Sequence, residues 1–86
     1  MSQNNFITVT LRSHVAPSAN IKDFELGKPF QIRVEYNTTL EDFLQQLFFE
    51  NRNAIGFIAI NGKLAKENST LSDGDIVYAY SLIGGG

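Results

Sequence analysis

Apolar and polar residues alternate along two stretches in the first half of the chain. In residues 6–13, FITVTLRS, every second position is apolar: Ile7, Val9 and Leu11. Residues 30–36 repeat the pattern with Phe30, Ile32, Val34 and Tyr36 on one face. A period of two, rich in β-branched residues, is typical of a half-buried strand. The residues between, 14–29, carry two prolines and a glycine without a steady period, which predicts a long, partly ordered loop.

The period changes in residues 37–53, NTTLEDFLQQLFFENRN. Apolar residues recur there at helical spacing: Leu40, Phe43, Leu44, Leu47 and Phe48. This is the apolar stripe of an amphipathic helix. Thr38, followed three residues later by Glu41, predicts a capping box at the helix start, and Asp42 adds negative charge near the positive end of the helix dipole. The helix is predicted to close at residues 51–53.

Turn-forming residues divide the last third of the chain. Asn61-Gly62 lies between two short extended runs and predicts a hairpin, because both residues tolerate positive φ. In residues 69–75, STLSDGD, Leu71 is predicted to tuck under the domain while Asp73 and Gly74 make the bend. A final strand is predicted over residues 76–81.

The order strand, strand, helix, strand, minor strand and strand has an economical packing solution. A sheet that covers the one apolar stripe of the helix makes two layers and a single core. We therefore predict an α+β fold of the β-grasp, or ubiquitin-like, type, with a mixed sheet of four to five strands on one main helix. The predicted divisions are a disordered segment 1–5, a domain 6–81 and a flexible glycine tail 82–86.

Alternation along the last strand predicts which side chains face outward. Val77 and Ala79 should face the helix, which leaves Ile76, Tyr78 and Tyr80 outside. If Ile58 and Ile60 also point inward, Phe57 and Ala59 join the outer side. These residues form an exposed apolar patch beside the tail, and such patches mark sites of protein contact. A shift of one residue in register would invert this interpretation.

Composition narrows the classes of function. The chain has 86 residues, 43% of them hydrophobic and 19% charged, with a formal net charge of −2. These values predict one domain with a core. Scattered lysines and arginines predict neither a nucleic-acid partner nor a membrane partner. The absence of cysteine excludes disulfides and Cys-ligated metals. The opening MSQNN does not resemble a signal peptide, and no apolar run reaches the roughly 20 residues of a membrane helix, so we expect a cytoplasmic protein.

The second half of the chain resembles a known family of small proteins. Ile60, Asn61-Gly62, Leu71, Gly74-Asp75, Val77 and the final Gly85-Gly86 occur in the order of a shared motif. That motif belongs to the thiamin-biosynthesis sulfur carriers and the small subunits of molybdopterin synthase, together the ThiS/MoaD-like family. The opening of the helix, NTTLEDFLQQL, is similar to theirs as well, so the resemblance covers about residues 6–86.

The resemblance implies a function for the last glycine. In the family, an ATP-dependent E1-like enzyme adenylates this residue, and sulfur then displaces AMP to leave a thiocarboxylate. Gly86 would carry that group here, with Gly84 and Gly85 as the slender tail. The residues expected to contact partners are Phe57, Ala59, Tyr78, Tyr80, Leu82 and Ile83. The chain would bind no cofactor and no metal itself, because the activating partner uses the ATP and the sulfur donor.

The implied partners are an E1-like adenylyltransferase and a sulfur-accepting synthase subunit. The acceptor would be the large subunit of molybdopterin synthase or a thiazole synthase, so the product would be molybdopterin, tungstopterin or thiamin. The chain departs from the family pattern at two places, and its mixed character leaves the pathway open: the long first loop is more like the molybdopterin subunits, whereas the residues before the glycines are closer to the thiamin carriers. Gly84 stands where the family commonly has alanine, and the Pro-Pro pair that often precedes the tail of molybdopterin-synthase subunits is replaced by SLI at residues 81–83.

Other interpretations stay open at this point. One alternative is that the glycines are simply a frayed chain end without a function. The chain can also be a ubiquitin-like modifier that is joined to lysine, or a β-grasp module that binds without covalent chemistry. An independent enzyme is the least favoured class, because no nucleophile, base or metal set is evident. His14 is expected to be a loop residue, and Asp73 and Asp75 are expected to shape a turn.

Overall fold

The computed structural model describes residues 5–82, which form one sheet and one main helix. The elements are β1 (Phe6–Ser13), β2 (Phe30–Glu35), α1 (Leu40–Leu47), a 3-10 turn (Arg52–Ala54), β3 (Ile55–Ile60), β4 (Lys63–Leu64) and β5 (Ile76–Ser81). The strand order is β2-β1-β5-β3-β4. Strands β1 and β5 are parallel and the other neighbours are antiparallel. The chain is therefore a small α+β protein with a mixed five-stranded sheet, which confirms the predicted fold class and the predicted type of sheet.

Residues 1–4 and 83–86 lie outside the described residues. The predicted disorder of segment 1–5 therefore stays a prediction. Asn5, the one described residue of that segment, accepts a hydrogen bond on its backbone carbonyl from the Tyr36 amide at 2.7 Å. Of the predicted tail 82–86, only Leu82 is described.

The core lies between one face of the sheet and the apolar stripe of α1. Alternation is confirmed in β1 and β5, where the inward residues Val9, Leu11, Val77 and Ala79 are fully buried. The helix contributes Leu40, Phe43 and Leu44, and its C-cap residue Phe48 joins them; each is at most 1% exposed. Leu47 and Ile60 are partly buried against the same cluster. The two periodicities of the sequence therefore meet in one apolar layer, where burial of side chains provides the main stabilisation.

The prediction for Tyr36 was wrong. It does not continue the inward face of β2, because the strand ends at Glu35 and the Tyr36 side chain is 64% exposed. Asn37 has φ of 73°, a left-handed conformation that turns the chain out of the sheet. The turn to α1 thus begins one residue earlier than the alternation indicated.

The helix starts one residue later than the predicted capping box. Thr39, not Thr38, is the N-cap, and its hydroxyl oxygen accepts a hydrogen bond from the Asp42 amide at 3.2 Å. The Thr38 hydroxyl donates to the Glu35 carbonyl at 2.6 Å and is thereby committed to the preceding turn. Glu41 does not reach back to the cap, since its carboxylate accepts a hydrogen bond from the Gln45 amide group.

The helix also ends earlier than predicted, at Leu47 rather than at residues 51–53. The long loop explains this end, because the Ser18 and Ala19 amides both donate to the Leu47 carbonyl, at 2.8 and 3.1 Å. Helix-terminal carbonyls need partners from outside the helix, and the loop supplies them here. The Asn51 side chain then donates to the Ala16 carbonyl, which ties the loop to the segment after the helix.

The predicted hairpin and bend are confirmed. Asn61 and Gly62 both have positive φ, 54° and 86°, in a two-residue connection between β3 and β4. Leu71 is only 2% exposed. The Asp75 carboxylate accepts hydrogen bonds from the Ser72 backbone amide and the Asn61 side chain, at 2.8 and 2.9 Å, so it joins the hairpin to the last turn.

The observed cap predicts how substitutions at the helix start affect stability. Replacing Thr39 with alanine removes the acceptor for the Asp42 amide, and we expect the free energy of unfolding to fall by about 1 kcal/mol. Thr39→Ser keeps the hydroxyl and should retain most of this stability. Urea unfolding of the three proteins measures the difference. Equal losses in the serine and alanine variants would contradict the assignment of Thr39 as the cap.

Candidate functional site

The first part of the site is the point where the chain leaves the sheet. Strand β5 ends at Ser81, yet the backbone of Leu82 is still held, because its amide donates to the Ala54 carbonyl at 2.8 Å. The Leu82 side chain is 63% exposed. The predicted site residues Ile83, Gly84, Gly85 and Gly86 lie outside the described residues. The chain therefore continues toward them from an anchored point at the sheet end.

Gly56 makes this anchoring possible. The pairing of β3 with β5 shifts register between Ile55 and Phe57, so Gly56 sits in a bulge. A Cβ atom added there would lie 2.9 Å from the Leu82 Cα and 3.1 Å from the Ser81 carbonyl oxygen. Both are backbone atoms, so they cannot move aside as a flexible side chain can. The sequence interpretation gave Gly56 no role; a glycine inside a strand pattern is the signal that marks such a close approach.

Beside this exit lies a row of three stacked rings on the outer face of the sheet. The aromatic row consists of Phe57, Tyr80 and Tyr78. Ring centroids are 4.6 Å apart for Phe57 and Tyr80 and 5.5 Å apart for Tyr80 and Tyr78, with planes inclined by only 20° and 13°. Phe57 is 52% exposed and both tyrosines are half-buried. The predicted outward orientation of these three residues is confirmed.

Ala59 departs from the predicted exposed patch. It is opposite Tyr78 in β5 and Leu64 in β4, but it is only 7% exposed. A single methyl group beside two larger neighbours is covered by them. Apolar exposure is extended instead by Leu64, Ile76 and Leu82, at 75%, 41% and 63%. Of these, only Leu82 was among the predicted contact residues; Ile76 was predicted to face outward, and Leu64 was given no role.

A cation and an imidazole flank the aromatic row. The Arg12 guanidinium carbon lies 4.9 Å from the centroid of the Tyr78 ring, which is cation–π geometry. The Arg12 Nε and Nη2 atoms both donate to the Gly27 carbonyl, at 3.2 and 3.0 Å. The ring of His14 is stacked 6.1 Å from that of Tyr80. The loop and the first strand thus complete a face that the last strands begin.

Sequence interpretation missed both flanking residues. His14 was regarded only as a loop residue, and Arg12 only as a polar position on β1. Their neighbours are set by the parallel pairing of β1 with β5, which places Arg12 opposite Tyr78 and lets the His14 amide donate to the Ala79 carbonyl. The one usable signal was that Arg12 and His14 continue the outward alternation of Thr8 and Thr10.

The other polar candidates have structural contacts. The Asp73 carboxylate accepts a hydrogen bond from the Thr8 amide at 2.8 Å, and Asp75 is engaged as described above. Across residues 5–82, no cluster of three or more histidine and acidic side chains is placed to hold a metal ion. Within the same range, no helix combines the length and apolar character that crossing a membrane requires.

Neither the models of known protein families nor the curated proteins contain a match to this chain. The resemblance to the sulfur carriers accordingly rests on its motif residues alone. What the geometry adds is an anchored exit for the last residues, an exposed aromatic row beside it, and an oriented arginine at the far end of that row.

The close approach at Gly56 leads to a prediction about the exit. Gly56→Ala should displace the backbone of Ser81 and Leu82 and weaken the hydrogen bond from Leu82 to Ala54. We expect faster hydrogen exchange at the Leu82 amide and changed amide chemical shifts at residues 81 and 82. Gly62→Ala is the matched control, because the positive φ at this position makes alanine cost about 1–2 kcal/mol while nothing lies within 4 Å of the added carbon.

Both variants should therefore lose stability, but only Gly56→Ala should change the exit. The exchange rate of the Leu82 amide is compared with that of a core amide such as Val77 in each protein. If Leu82 is protected equally in the two variants, Gly56 does not control the exit.

Proposed function

We propose that this chain is a β-grasp sulfur carrier whose final glycine, Gly86, is adenylated by an E1-like enzyme and converted to a thiocarboxylate. The strand order β2-β1-β5-β3-β4, with a parallel central pair and the helix on one face, supports the β-grasp assignment. The motif residues of the second half of the chain support the carrier assignment. In this role the protein is a cosubstrate of other enzymes, not an enzyme.

The observation that carries the proposal is the position of Leu82. Its backbone is anchored at Ala54, at the end of the sheet and two residues after Tyr80 of the aromatic row, and its side chain is exposed. Residues 83–86, if fully extended, span about 13 Å. An enzyme bound to the aromatic row would therefore need a cleft about 13 Å deep, measured from Leu82, to bring the last carbonyl carbon to its active site. Glycine at positions 84–86 gives the narrow profile that such a cleft needs.

The proposed chemistry takes place at the Gly86 carboxyl group. A carboxylate oxygen attacks the α-phosphorus of ATP, and pyrophosphate leaves to give the acyl-adenylate. Sulfide from a donor then attacks the carbonyl carbon, AMP leaves with the bonding electrons, and a thiocarboxylate results. The carrier supplies the reacting group and its positioning, while the partner holds ATP and excludes water.

The thiocarboxylate would then transfer its sulfur to a biosynthetic acceptor. Molybdopterin synthase and thiazole synthase are the two acceptor classes that the resemblance implies, with molybdopterin, tungstopterin or thiamin as the product. Both pathways share every step up to the thiocarboxylate. The proposal is therefore common to them and is tested at that intermediate.

A non-covalent interaction module is the second candidate, and the exposed aromatic row favours it. Such a module binds through the row alone and has no use for the tail. Deleting Gly85 and Gly86 separates the two functions, because a binding module keeps its partner while a carrier loses its reacting group. A ubiquitin-like modifier shares the activation step and differs in its acceptor, so Gly-Gly-Gly remnants on lysines of cellular proteins would identify it.

We expect thiocarboxylate formation with a purified E1-like adenylating enzyme from the same cells, Mg-ATP and sulfide. Mass spectrometry of the intact chain should show a gain of about 16 Da, the difference between one sulfur and one oxygen atom, located on the C-terminal peptide. The mechanism requires Gly86 to be the terminal residue, which the mass of the protein isolated from cells tests directly.

The deletion variant lacking Gly85 and Gly86 is the control. It should fold normally, because the sheet, the helix and the core are all formed within residues 5–82, and it should gain no sulfur. The enzyme must first be shown to be active on a carrier that it is known to adenylate. If the full chain then forms neither the adenylate nor the thiocarboxylate, the proposed function is wrong.

A further inference from the structure

Arg12 is a positively charged group that the fold holds in place. Its guanidinium lies over the Tyr78 ring, and two of its nitrogens donate to the Gly27 carbonyl, so both the orientation and the distance to the aromatic row are set. The ion pairs found within residues 5–82 are Lys28–Glu25 and Arg52–Glu67. Neither involves Arg12, so in the described part of the chain no carboxylate neutralises this cation.

The outward residues of β1, β3, β4 and β5 include no acidic side chain, and Glu25, two residues before Gly27 in the adjoining loop, is paired with Lys28 at 3.2 Å. By alternation and register, the outward positions of β1, β5, β3 and β4 are Phe6, Thr8, Thr10, Ile76, Tyr78, Tyr80, Phe57, Ala59 and Leu64. The acidic residues near this face lie at its margins. Glu35 is on the edge strand β2, Asp73 accepts a hydrogen bond from the Thr8 amide of β1, and Asp75 accepts one from the Ser72 amide in the turn before β5. The face therefore combines an apolar centre with an uncompensated positive end.

We infer that the aromatic row docks a protein surface with an apolar centre and an aspartate or glutamate carboxylate that pairs with Arg12. This inference rests on the proposed function, in which the docked protein is the adenylating enzyme. Arginine is suited to the role because its Nη1 edge can bind a carboxylate while its plane stays on Tyr78. Tyr78 and the loop around Gly27 reduce solvent access, which strengthens a charge-assisted hydrogen bond.

The charge distribution favours a protein over the other anionic partners. The whole chain has seven lysines and arginines against nine aspartates and glutamates, with a net charge of −2. Binding to nucleic acid depends on several cations that contact phosphates together, and anionic membranes attract clusters of roughly 4–8 basic residues. A single oriented arginine at the end of an apolar row matches one carboxylate in an otherwise apolar protein surface.

Arg33 provides a matched control. It lies on edge strand β2, and its guanidinium carbon is 5.0 Å from the Phe6 ring centroid, against 4.9 Å for Arg12 and Tyr78. Reversing either charge changes the net charge of the protein equally and removes one cation–π contact. Only Arg12 adjoins the aromatic row, so the two variants separate local recognition from a general effect of charge.

The experiment measures ATP–pyrophosphate exchange catalysed by the E1-like enzyme of the thiocarboxylate test, with the carrier as the varied substrate. We expect Arg12→Glu to raise KM for the carrier at least about tenfold, because a repulsive contact replaces an attractive one, with little change in kcat. Arg33→Glu should change KM less than about twofold. Arg12→Gln removes the charge without introducing an opposite one and keeps an amide N–H donor, so it should raise KM by an intermediate factor that shrinks at high salt.

Each outcome decides between the hypotheses. Urea unfolding checks that every variant is folded. If Arg12→Glu does not fold, the KM of Arg12→Gln tests the role of Arg12 instead. Equal KM values for wild type, Arg12→Gln and Arg33→Glu, with wild-type exchange intact, would overturn the role of Arg12 and leave the carrier function standing. If the wild-type chain supports no exchange at all, both the carrier function and the role of Arg12 are wrong.

Discussion

The parallel pairing of β1 with β5 is the contact on which the rest of the structure depends. These two strands lie at the centre of the sheet, and their inward residues Val9, Leu11, Val77 and Ala79 are fully buried beneath α1. The pairing joins the first and last elements of the described chain, so it closes the domain. Because side chains alternate across a strand, the register that buries these four residues also determines which residues face outward.

The outer face is a consequence of that register. Arg12 lies opposite Tyr78, and His14 continues the row beside Tyr80. On the other side of β5, the antiparallel pairing with β3 places Phe57 against Tyr80. Three strands that are distant in sequence thus contribute to one aromatic and cationic surface. The core and the proposed docking face are two sides of the same set of hydrogen-bonded pairs, so a slip in register would destroy both.

The irregular segments position the site without belonging to the core. The loop between β1 and β2 caps the end of α1 through Ser18 and Ala19 and presents the Gly27 carbonyl that orients Arg12. The bulge at Gly56 lets the backbone of Leu82 pass close to β3. Loops commonly carry the residues that act while a rigid scaffold holds them. Here the loop orients the Arg12 guanidinium, and the bulge allows the backbone of Leu82 to lie against β3.

Local pattern determined the elements of this fold. The period of two in residues 6–13 and 76–81, the helical spacing of Leu40 through Phe48 and the Asn61-Gly62 turn each depend on neighbours a few positions away. Such signals can be read without the fold, because backbone geometry imposes the repeat. They also indicated that Tyr78, Tyr80 and Phe57 face outward, since each strand has only two sides.

Hydrogen bonds and strand register, which the pattern of apolar and polar residues does not encode, decided the element ends and the neighbours in the site. The helix ends at Leu47, where the Ser18 and Ala19 amides of the loop bond its carbonyl. Its N-cap is Thr39, because the Thr38 hydroxyl is bonded to the Glu35 carbonyl. Pattern cannot rank these competing hydrogen bonds. Nor can it place Arg12 over Tyr78, whose positions in the chain are far apart. Alternation assigns a residue to a face, but only the register between strands assigns its neighbour, and the candidate site consists of such neighbours.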